Sequence, residues 1–517
     1  MSVSNAEPRP PSLYAAREPI FPRRIQGKFR TLKWWIMGVT LGIYYVFPWI
    51  RWDRGPALPD QAVLIDLANR RFYFFLIEIW PQEFYFVAGL LIMAGLGLFL
   101  VTSVLGRVWC GYTCPQTVWT DLFMLVERWI EGDRNARVRL WNAPWTAEKV
   151  RKRAVKWTVW LLIAVATGGA WVFYFADAPT LLRQLVSFSA PPAAYLSIAI
   201  LTATTFTFGG FMREQVCLYM CPWPRIQAAM TDEQTLTVAY RDWRGEPRGK
   251  GNVRRRTEAE ARRAEARAQA AGPGHAVHAP ERYPHLPVGV DETPDATGPG
   301  DCIDCLACVN VCPTGVDIRE GQQLGCITCA LCIDACNDVM AKIGRPPDLI
   351  GYLTLADGER ERLGEPPVPI WHRIVRPRVL LYAVLWAGIG VAMIAALMVR
   401  TDISIGVDPI RNPLYVTLSD GSVRNSYELR LRNMTGYDRE FRLTATAAAP
   451  LALELQGLPG DTVTVPANQT LRQRIYLTSP ADAPASGADI TPVGVVATDA
   501  ASGATASEET VFRGRAR

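Results

Sequence analysis

Eight cysteines between residues 302 and 336 follow a spacing that is typical of iron–sulfur ligation. They form two runs with the same gaps: Cys302-x2-Cys305-x2-Cys308-x3-Cys312 and Cys326-x2-Cys329-x2-Cys332-x3-Cys336. In bacterial ferredoxins with two [4Fe–4S] clusters, the fourth cysteine of each run ligates the other cluster. We therefore predict one cluster on Cys302, Cys305, Cys308 and Cys336, and a second on Cys326, Cys329, Cys332 and Cys312. Zinc is the alternative, although it favours two separated pairs of cysteines.

The other four cysteines form a second repeated pattern, Cys-x-Tyr-x-Cys-Pro. The two copies are Cys110-Gly-Tyr-Thr-Cys114-Pro115 and Cys217-Leu-Tyr-Met-Cys221-Pro222. Four convergent thiolates are soft ligands that suit Cu(I), zinc or an iron–sulfur centre, so the repeat indicates two halves of one redox site. Four buried, inert cysteines are the alternative. The proline disfavours helix at the preceding cysteine, which leaves the local geometry open.

Both copies of this motif follow apolar stretches that are long enough to cross a bilayer, which takes about 20 residues. The sequence contains five such stretches: 32–50, 84–105, 157–176, 193–212 and 379–399. With 49 % hydrophobic and 20 % charged residues, the chain is too apolar for a disordered protein and too charged for one made only of membrane helices. The first 30 residues lack the pattern of a cleavable signal peptide, so the first stretch is expected to remain as an anchor. A buried core helix is the alternative for any single stretch.

Lysine and arginine in the loops predict the orientation. Ten of these residues lie between 106 and 156, whereas four lie between 51 and 83 and one, Arg183, lies between the third and fourth stretches. Cytoplasmic loops carry the excess of Lys and Arg. We therefore expect a cytoplasmic N-terminus, cytoplasmic clusters and a C-terminal region on the outer side of the membrane. The reducing cytoplasm also disfavours disulfides among the cysteines.

The region after residue 400 has a different character. Short alternating segments are separated by turn residues: 414–418, 427–431, 440–445, 451–455, 462–465, 472–477 and 493–497. Alternation with regular turns over this length predicts an antiparallel β-sandwich of immunoglobulin type. The region contains no cysteine and no catalytic constellation, so we infer a binding or scaffolding role for it.

The predicted fold class is a multi-domain membrane protein with a helical membrane domain, a two-cluster ferredoxin-like segment and an all-β immunoglobulin-like sandwich. The divisions are 1–31 (tail), 32–212 (membrane region), 213–243 (second cysteine motif), 244–300 (linker), 301–378 (ferredoxin-like), 379–399 (fifth span) and 400–517 (sandwich). The linker contains His275, His278 and His285, for which a metal site is the alternative to a solvated tract. A net charge of +6 is too weak to indicate nucleic acid.

With these motifs in place, the chain resembles the CcoG family of cytochrome c oxidase accessory proteins, also called FixG or RdxA. The resemblance covers nearly the whole chain and includes the segments 109–120, 127–134, 217–227, 300–305 and 344–346. It implies assembly of a cbb3-type haem–copper oxidase, with reduction of Cu(II) to Cu(I) before copper delivery. It also implies that Cys110, Cys114, Cys217 and Cys221 handle copper. The long linker at 251–298 departs from the family pattern.

The sequence and the resemblance together predict a cupric reductase with two [4Fe–4S] clusters and copper as substrate or transient ligand. The expected partners are the cbb3-type oxidase or its copper chaperones, an unidentified electron donor and the lipid bilayer. One alternative is a quinol-linked electron conduit to a respiratory reductase, and another is a non-enzymatic assembly scaffold. Gly89, Gly95 and Gly97 on the second apolar stretch are compatible with helix pairing in a homodimer.

Overall fold

The structure is a computed structural model that describes residues 19–55, 58–249, 262 and 300–515. The linker histidines His275, His278 and His285 lie outside the described residues. The chain divides into two compact units. The first unit consists of Met1–Pro48 and Gln82–Gly390, and the second consists of Trp49–Pro81 and Val391–Arg517. Each unit therefore combines two separate parts of the chain.

Four helices are long and apolar enough to cross a membrane by length and composition. They are Pro81–Leu105, Ala147–Val172, Pro192–Met212 and Pro377–Met398. Their positions match the second to fifth apolar stretches of the sequence. The last seven residues of the third of these helices, Phe206–Met212, are π-helical.

The first apolar stretch forms the helix Lys28–Val46, which is not one of these four. The helix begins four residues earlier than the predicted span, and Lys28, Arg30 and Lys33 lie in its first six residues. These cations lower its apolar content. The expected count of five membrane spans is therefore not confirmed.

Direct contacts align the long helices of the first unit. The hydroxyl of Tyr44 donates to the carbonyl of Thr167 at 2.8 Å, which joins the end of Lys28–Val46 to the end of Ala147–Val172. A Cβ atom on Gly168 would lie 2.9 Å from the carbonyl oxygen of Ile198, so the Pro192–Met212 helix approaches closely there. Only glycine permits such an approach.

Shorter helices connect the long ones. The helices are Val108–Tyr112, Pro115–Glu131, Arg134–Asn142, Ala178–Val186, Trp223–Met230, Asp242–Gly245, Ala307–Val311, Leu331–Lys342, Leu355–Arg362 and Ile370–Ile374. The strand Thr237–Tyr240 pairs antiparallel with Ile350–Leu353. This pair joins the segment before the predicted linker to the ferredoxin-like segment, so residues 237–240 and 350–353 pack together across the predicted boundaries at 243 and 301.

A buried ion network fixes the Pro115–Glu131 helix against its neighbours. The carboxylate of Glu127 pairs with Arg137 at 2.5 Å, with Lys156 at 3.3 Å and with Arg213. Burial opposes ionisation of Glu127, yet the charges of Arg213 and Arg137 outweigh it and lower its pKa. Asp121 and Glu127 are buried inside the unit.

The second unit contains a two-sheet sandwich. One sheet has the order Ala452–Leu455, Thr470–Ser479, Val423–Asn433 and Ile403–Pro409, with Val416–Thr417 also paired to Val423–Asn433. The other sheet has the order Thr462–Val465, Arg439–Ala447, Thr491–Asp499 and Thr505–Phe512. Alternate residues such as Leu429, Phe441 and Val495 point into a shared core. The predicted sandwich is confirmed, and its first and last strands add to those expected.

A three-stranded meander belongs to the same unit. Its strands are Val63–Asp66, Arg71–Phe74 and Ile77–Ile79, paired antiparallel in sequence order. The guanidinium of Arg71 donates to the carbonyl of Asn468 at 2.7 Å, which ties the meander to the sandwich. The loop between the first two apolar helices thus folds with the C-terminal domain.

Candidate functional site

The two ferredoxin-like cysteine runs share an unusual backbone conformation. Asp304 and Leu306 in the first run have φ values of 54° and 56°, and the equivalent Thr328 and Ala330 in the second have 56° and 60°. Non-glycine residues rarely adopt this left-handed conformation, so its repetition at matching positions indicates a shared functional constraint. In an anion-binding nest, successive backbone N–H groups point toward a bound anion, and many iron–sulfur sites contain such nests.

Residues of the two runs together line one pocket. Five thiols line it, belonging to Cys308, Cys312, Cys326, Cys329 and Cys332. Four of the five are the predicted ligands of the second cluster. The other lining groups include apolar side chains such as Val238 and Ile318. Four predicted cysteine ligands around one pocket fit a [4Fe–4S] cluster, which takes four cysteine ligands.

Burial governs the protonation of these thiols. It raises the pKa of Cys329 to about 12, and it raises the pKa of Cys332 as well. The thiols are therefore protonated when no metal is bound. Iron binds the thiolate and displaces the proton, so cluster insertion releases protons and adds to folding free energy.

The four predicted ligands of the first cluster include one exposed cysteine. Cys302, Cys308 and Cys336 are buried, whereas Cys305 is exposed. Burial raises the pKa of the Cys308 thiol, and the charge of Arg319 acts against that rise. Arg319 also pairs with Asp317 at 2.6 Å and with Asp304 at 2.7 Å. This cluster position is thus bordered by one cation and two carboxylates.

The first Cys-x-Tyr-x-Cys-Pro motif packs directly on the loop of the second cluster. A Cβ atom on Gly111 would lie 2.6 Å from the carbonyl oxygen of Ile327 and 3.0 Å from Cα of Cys329. The hydroxyl of Tyr112 donates to the carbonyl of Cys329 at 3.2 Å. The motif and the cluster loop are therefore in backbone contact.

The structure brings the four motif cysteines into electrostatic contact. Burial raises the pKa of Cys110 to about 12, and the charges of Cys114, Cys217 and Cys221 act in the same direction. Cys114 and Cys221 adopt extended conformations, as expected for residues before proline, and each lies at a helix boundary.

These thiols are not already grouped around one ion. Among the residues that the structure describes, no three His, Cys, Asp or Glu side chains have the spacing that binds a single metal ion.

Two residues that sequence reasoning did not single out as functional connect the cysteine motifs. Arg107 donates to the carbonyls of Leu324 and Cys326 and, through its other terminal nitrogen, to the carbonyl of Pro224 at 2.6 Å. The buried amide of Gln227 accepts from the thiol of Cys110 at 3.2 Å and donates to the hydroxyl of Thr102. Both residues lie close to motif cysteines in the sequence, which could have marked them as candidates. Their hydrogen-bond partners lie in distant segments of the chain, which the sequence does not show.

Family models match three regions of the chain. Residues 393–515 match the "IG-like fold at C-terminal of FixG". Residues 212–293 and 288–354 match a "4Fe-4S dicluster domain", and residues 86–133 match a "4Fe-4S binding domain". The last region contains the first Cys-x-Tyr-x-Cys-Pro motif.

Three relatives are similar over almost the full length. Protein RdxB of Cereibacter sphaeroides is 59 % identical over 98 % of this chain and 98 % of its own. Protein RdxA of the same organism is 62 % identical over 92 % of each chain. Nitrogen fixation protein FixG of Rhizobium meliloti is 52 % identical over 91 % of this chain and 85 % of its own.

Proposed function

The chain belongs to the FixG/RdxA family of iron–sulfur proteins, and from that premise we propose that it reduces Cu(II) to Cu(I) in the bacterial inner membrane. The product supplies copper for maturation of a cbb3-type cytochrome c oxidase. Membrane electron transfer by iron–sulfur clusters is the general activity, and copper is the specific substrate of the proposal.

The contact between Gly111 and the second cluster loop carries this proposal. Gly111 lies against the backbone of Cys329, a predicted cluster ligand, and Cys110 is the residue before Gly111 in the chain. Bound [4Fe–4S] clusters supply single electrons, and one electron converts one Cu(II) to one Cu(I). A short path between the thiols and the cluster ligands favours such one-electron chemistry.

The four motif thiols supply the substrate site. Soft thiolate ligands prefer Cu(I) to harder ions, so binding at Cys110, Cys114, Cys217 and Cys221 stabilises the reduced product. The second motif admits the ion, because Tyr219 and Met220 beside its cysteines are exposed. Arg107 and Gln227 position the first motif against the cluster loop and the second motif segment.

We further propose five spans, with Lys28–Val46 as the first. This helix passes from Asp121 and Asp334 at the cysteine-bearing end to Thr167 and Tyr174 at the far end of Ala147–Val172. Such a path runs parallel to a helix that is apolar enough to span. The buried ion pairs at its start offset the cost of Arg30 and Lys33. The clusters are then cytoplasmic, and the C-terminal sandwich is periplasmic, where it docks the oxidase or a copper chaperone.

An anaerobic titration tests the copper reaction. Purified protein is reduced with dithionite, freed of excess reductant and titrated with Cu(II), while cluster absorbance and chelated Cu(I) are recorded together. We expect one Cu(I) for each cluster oxidised, and a lost or much slower reaction when Cys110, Cys114, Cys217 and Cys221 are all changed to Ser. Gln116→Leu is the matched control, since Gln116 donates to the carbonyls of Phe208 and Arg213, does not contact a thiol, and its replacement keeps every thiol.

Cluster oxidation that does not yield Cu(I), or a quadruple variant that reacts like the parent, would rule out copper reduction at these thiols. Reduction of the clusters by quinol in copper-free membranes would instead support the electron conduit. Normal oxidase assembly in a strain whose cluster cysteines are changed would support the scaffold.

A third iron–sulfur centre on the four motif thiols is a second candidate. It is favoured by the match of residues 86–133 to a 4Fe-4S binding domain. Iron analysis separates the two, because two cubane clusters bring about eight iron atoms per chain and three bring about twelve. A quadruple Ser variant with unchanged iron content argues for copper, and one that loses about a third of its iron argues for the third cluster.

A further inference from the structure

Lys33 is a buried cation whose charge has no full counterpart among the described residues. It is 2 % exposed, and its Nζ atom has no hydrogen-bond partner in the described part of the chain. Its nearest carboxylate oxygen is Oδ2 of Asp121, at 3.9 Å. A buried ammonium without hydrogen bonds is costly unless a further negative charge lies close to it.

The carboxylate of Asp121 is already used by another cation. The guanidinium of Arg30 donates to both of its oxygens, at 2.9 Å and 3.0 Å. Both of these hydrogen bonds come from one nitrogen of Arg30, Nη1. The single negative charge of Asp121 is therefore shared between two buried cations, Arg30 and Lys33.

The second cluster loop lies beside Lys33. Lys33 follows Arg30 by one helical turn, and the backbone N–H of Arg30 donates to Asp334 at 2.8 Å. Asp334 lies in the helix Leu331–Lys342, two residues after the predicted ligand Cys332. Burial raises the pKa of the Cys329 thiol, and the positive charge of Lys33 acts against that rise.

Arg107 is a further buried cation at this loop, and it donates to the carbonyl of Cys326 at 3.2 Å. Around the second cluster position, three cations (Arg30, Lys33 and Arg107) face two carboxylates (Asp121 and Asp334). Around the first, the cation Arg319 is paired with both Asp304 and Asp317. The two positions therefore differ in the sign of their local charge.

We propose that Lys33 sets the reduction potential of the cluster bound by Cys312, Cys326, Cys329 and Cys332, and makes it higher than that of the cluster bound by Cys302, Cys305, Cys308 and Cys336. Reduction adds one negative charge to a cluster, and a nearby buried cation stabilises that charge. Lys33 is thus a positioning residue for charge and not a ligand. The higher-potential cluster is the one whose loop contacts the Cys110 motif.

This inference rests on the assignment of the two ligand sets but not on copper. Its test is a redox titration of the purified, copper-free protein, followed by electron paramagnetic resonance, with iron content measured on the same samples. We expect Lys33→Met to shift the higher of the two midpoint potentials downward and to leave the lower one unchanged. At a fixed potential, the ratio of reduced to oxidised second cluster falls by roughly tenfold, or about 59 mV for one electron.

Two variants control for structure. Lys33→Arg keeps the charge and retains the higher potential, whereas Lys28→Met removes an exposed lysine from the same helix and has no effect. Lys33→Met is suitable because replacing a buried ion by an apolar side chain of similar size is often neutral for stability. Unchanged potentials in Lys33→Met with full iron content, or a shift of the lower potential alone, would overturn the proposal. If Lys33→Met loses iron, Lys33→Gln gives the same readout with a polar side chain. Failure of copper reduction leaves this result untouched.

Discussion

The first Cys-x-Tyr-x-Cys-Pro motif is packed under the second cluster loop, whereas the second copy of the same pattern is open at its tyrosine. Tyr112 is 3 % exposed and Tyr219 is 61 % exposed. The first copy contains the α-helix Val108–Tyr112, and the second contains the π-helical segment Val216–Met220. Identical spacing of cysteine, tyrosine and proline therefore occurs in two different environments.

This difference comes from the residues between the cysteine, tyrosine and proline positions that the two copies share. The first copy has Gly111 where the second has Leu218, and only a residue without Cβ fits against the Ile327 carbonyl. The second copy uses Leu218 to pack on Gly325. In the proposed function, the first motif faces the electron source and the second faces the arriving ion.

The largest effect is expected at Gly111. In Gly111→Ala, the new Cβ would lie 2.6 Å from a backbone oxygen and 3.0 Å from Cα of Cys329, so the cluster loop must move. We expect loss of roughly half of the iron, since one of the two cubane clusters depends on this loop. Iron and sulfide analysis of purified protein measures this loss.

The matched change in the other motif is Leu218→Ala, which removes contacts without forcing backbone apart. It is expected to keep its iron. Equal iron loss in both variants would show that the two motifs do not differ in their relation to the cluster.

A smaller effect is expected at the arginines that precede each motif. Arg107→Gln removes charged hydrogen bonds to the Cys326 and Pro224 carbonyls, each worth about 1.5–3 kcal/mol. We expect faster loss of iron to a chelator, with Arg107→Lys giving little rescue because an ammonium does not span the same carbonyls.

Arg213→Gln should instead lower thermal stability and leave iron release unchanged. Its partner Glu127 keeps Arg137 and Lys156, so the remaining ion pairs reduce the cost. Accelerated iron release in this variant would remove the distinction between the two arginines.

Gln227→Leu should weaken binding of Cu(I) by roughly tenfold, the lower end of what loss of a ligand's outer partner costs. The variant removes the acceptor for the thiol of Cys110. Competition with a Cu(I) chelator measures the affinity. Gln116→Leu is the control, because Gln116 donates to the carbonyls of Phe208 and Arg213 and does not contact a thiol. An equal loss in both variants would point to general loosening of the helices.

The smallest effect is expected at the two tyrosines. Tyr112→Phe loses one buried hydrogen bond to the Cys329 carbonyl, which costs about 1 kcal/mol. Tyr219→Phe alters an exposed side chain and should stay within about 0.5 kcal/mol. Thermal unfolding of the two variants side by side measures the difference, and an equal shift would contradict the comparison.

The strands of the C-terminal domain show how far local pattern extends. Alternation identified most of the sandwich, from Val423–Asn433 to Thr491–Asp499. It missed Ile403–Pro409, which directly follows an apolar helix, and Thr505–Phe512, whose sequence is mostly polar. Thr505–Phe512 forms through pairing with its neighbours, so its own composition is a weak signal, whereas Ile403, Ile405 and Val407 do alternate toward the core.

Local spacing alone predicts the ligand pattern, because iron–sulfur loops are short and their geometry follows from consecutive residues. Apolar length likewise determined the four long helices, since a bilayer demands it. Only tertiary structure decided that Gly111 contacts Ile327, that Gln227 reaches Cys110 and that Lys33 lies by the cluster loop. Each of these contacts joins segments about 100 residues or more apart, and such pairings depend on packing of the whole unit, which no local window of sequence contains.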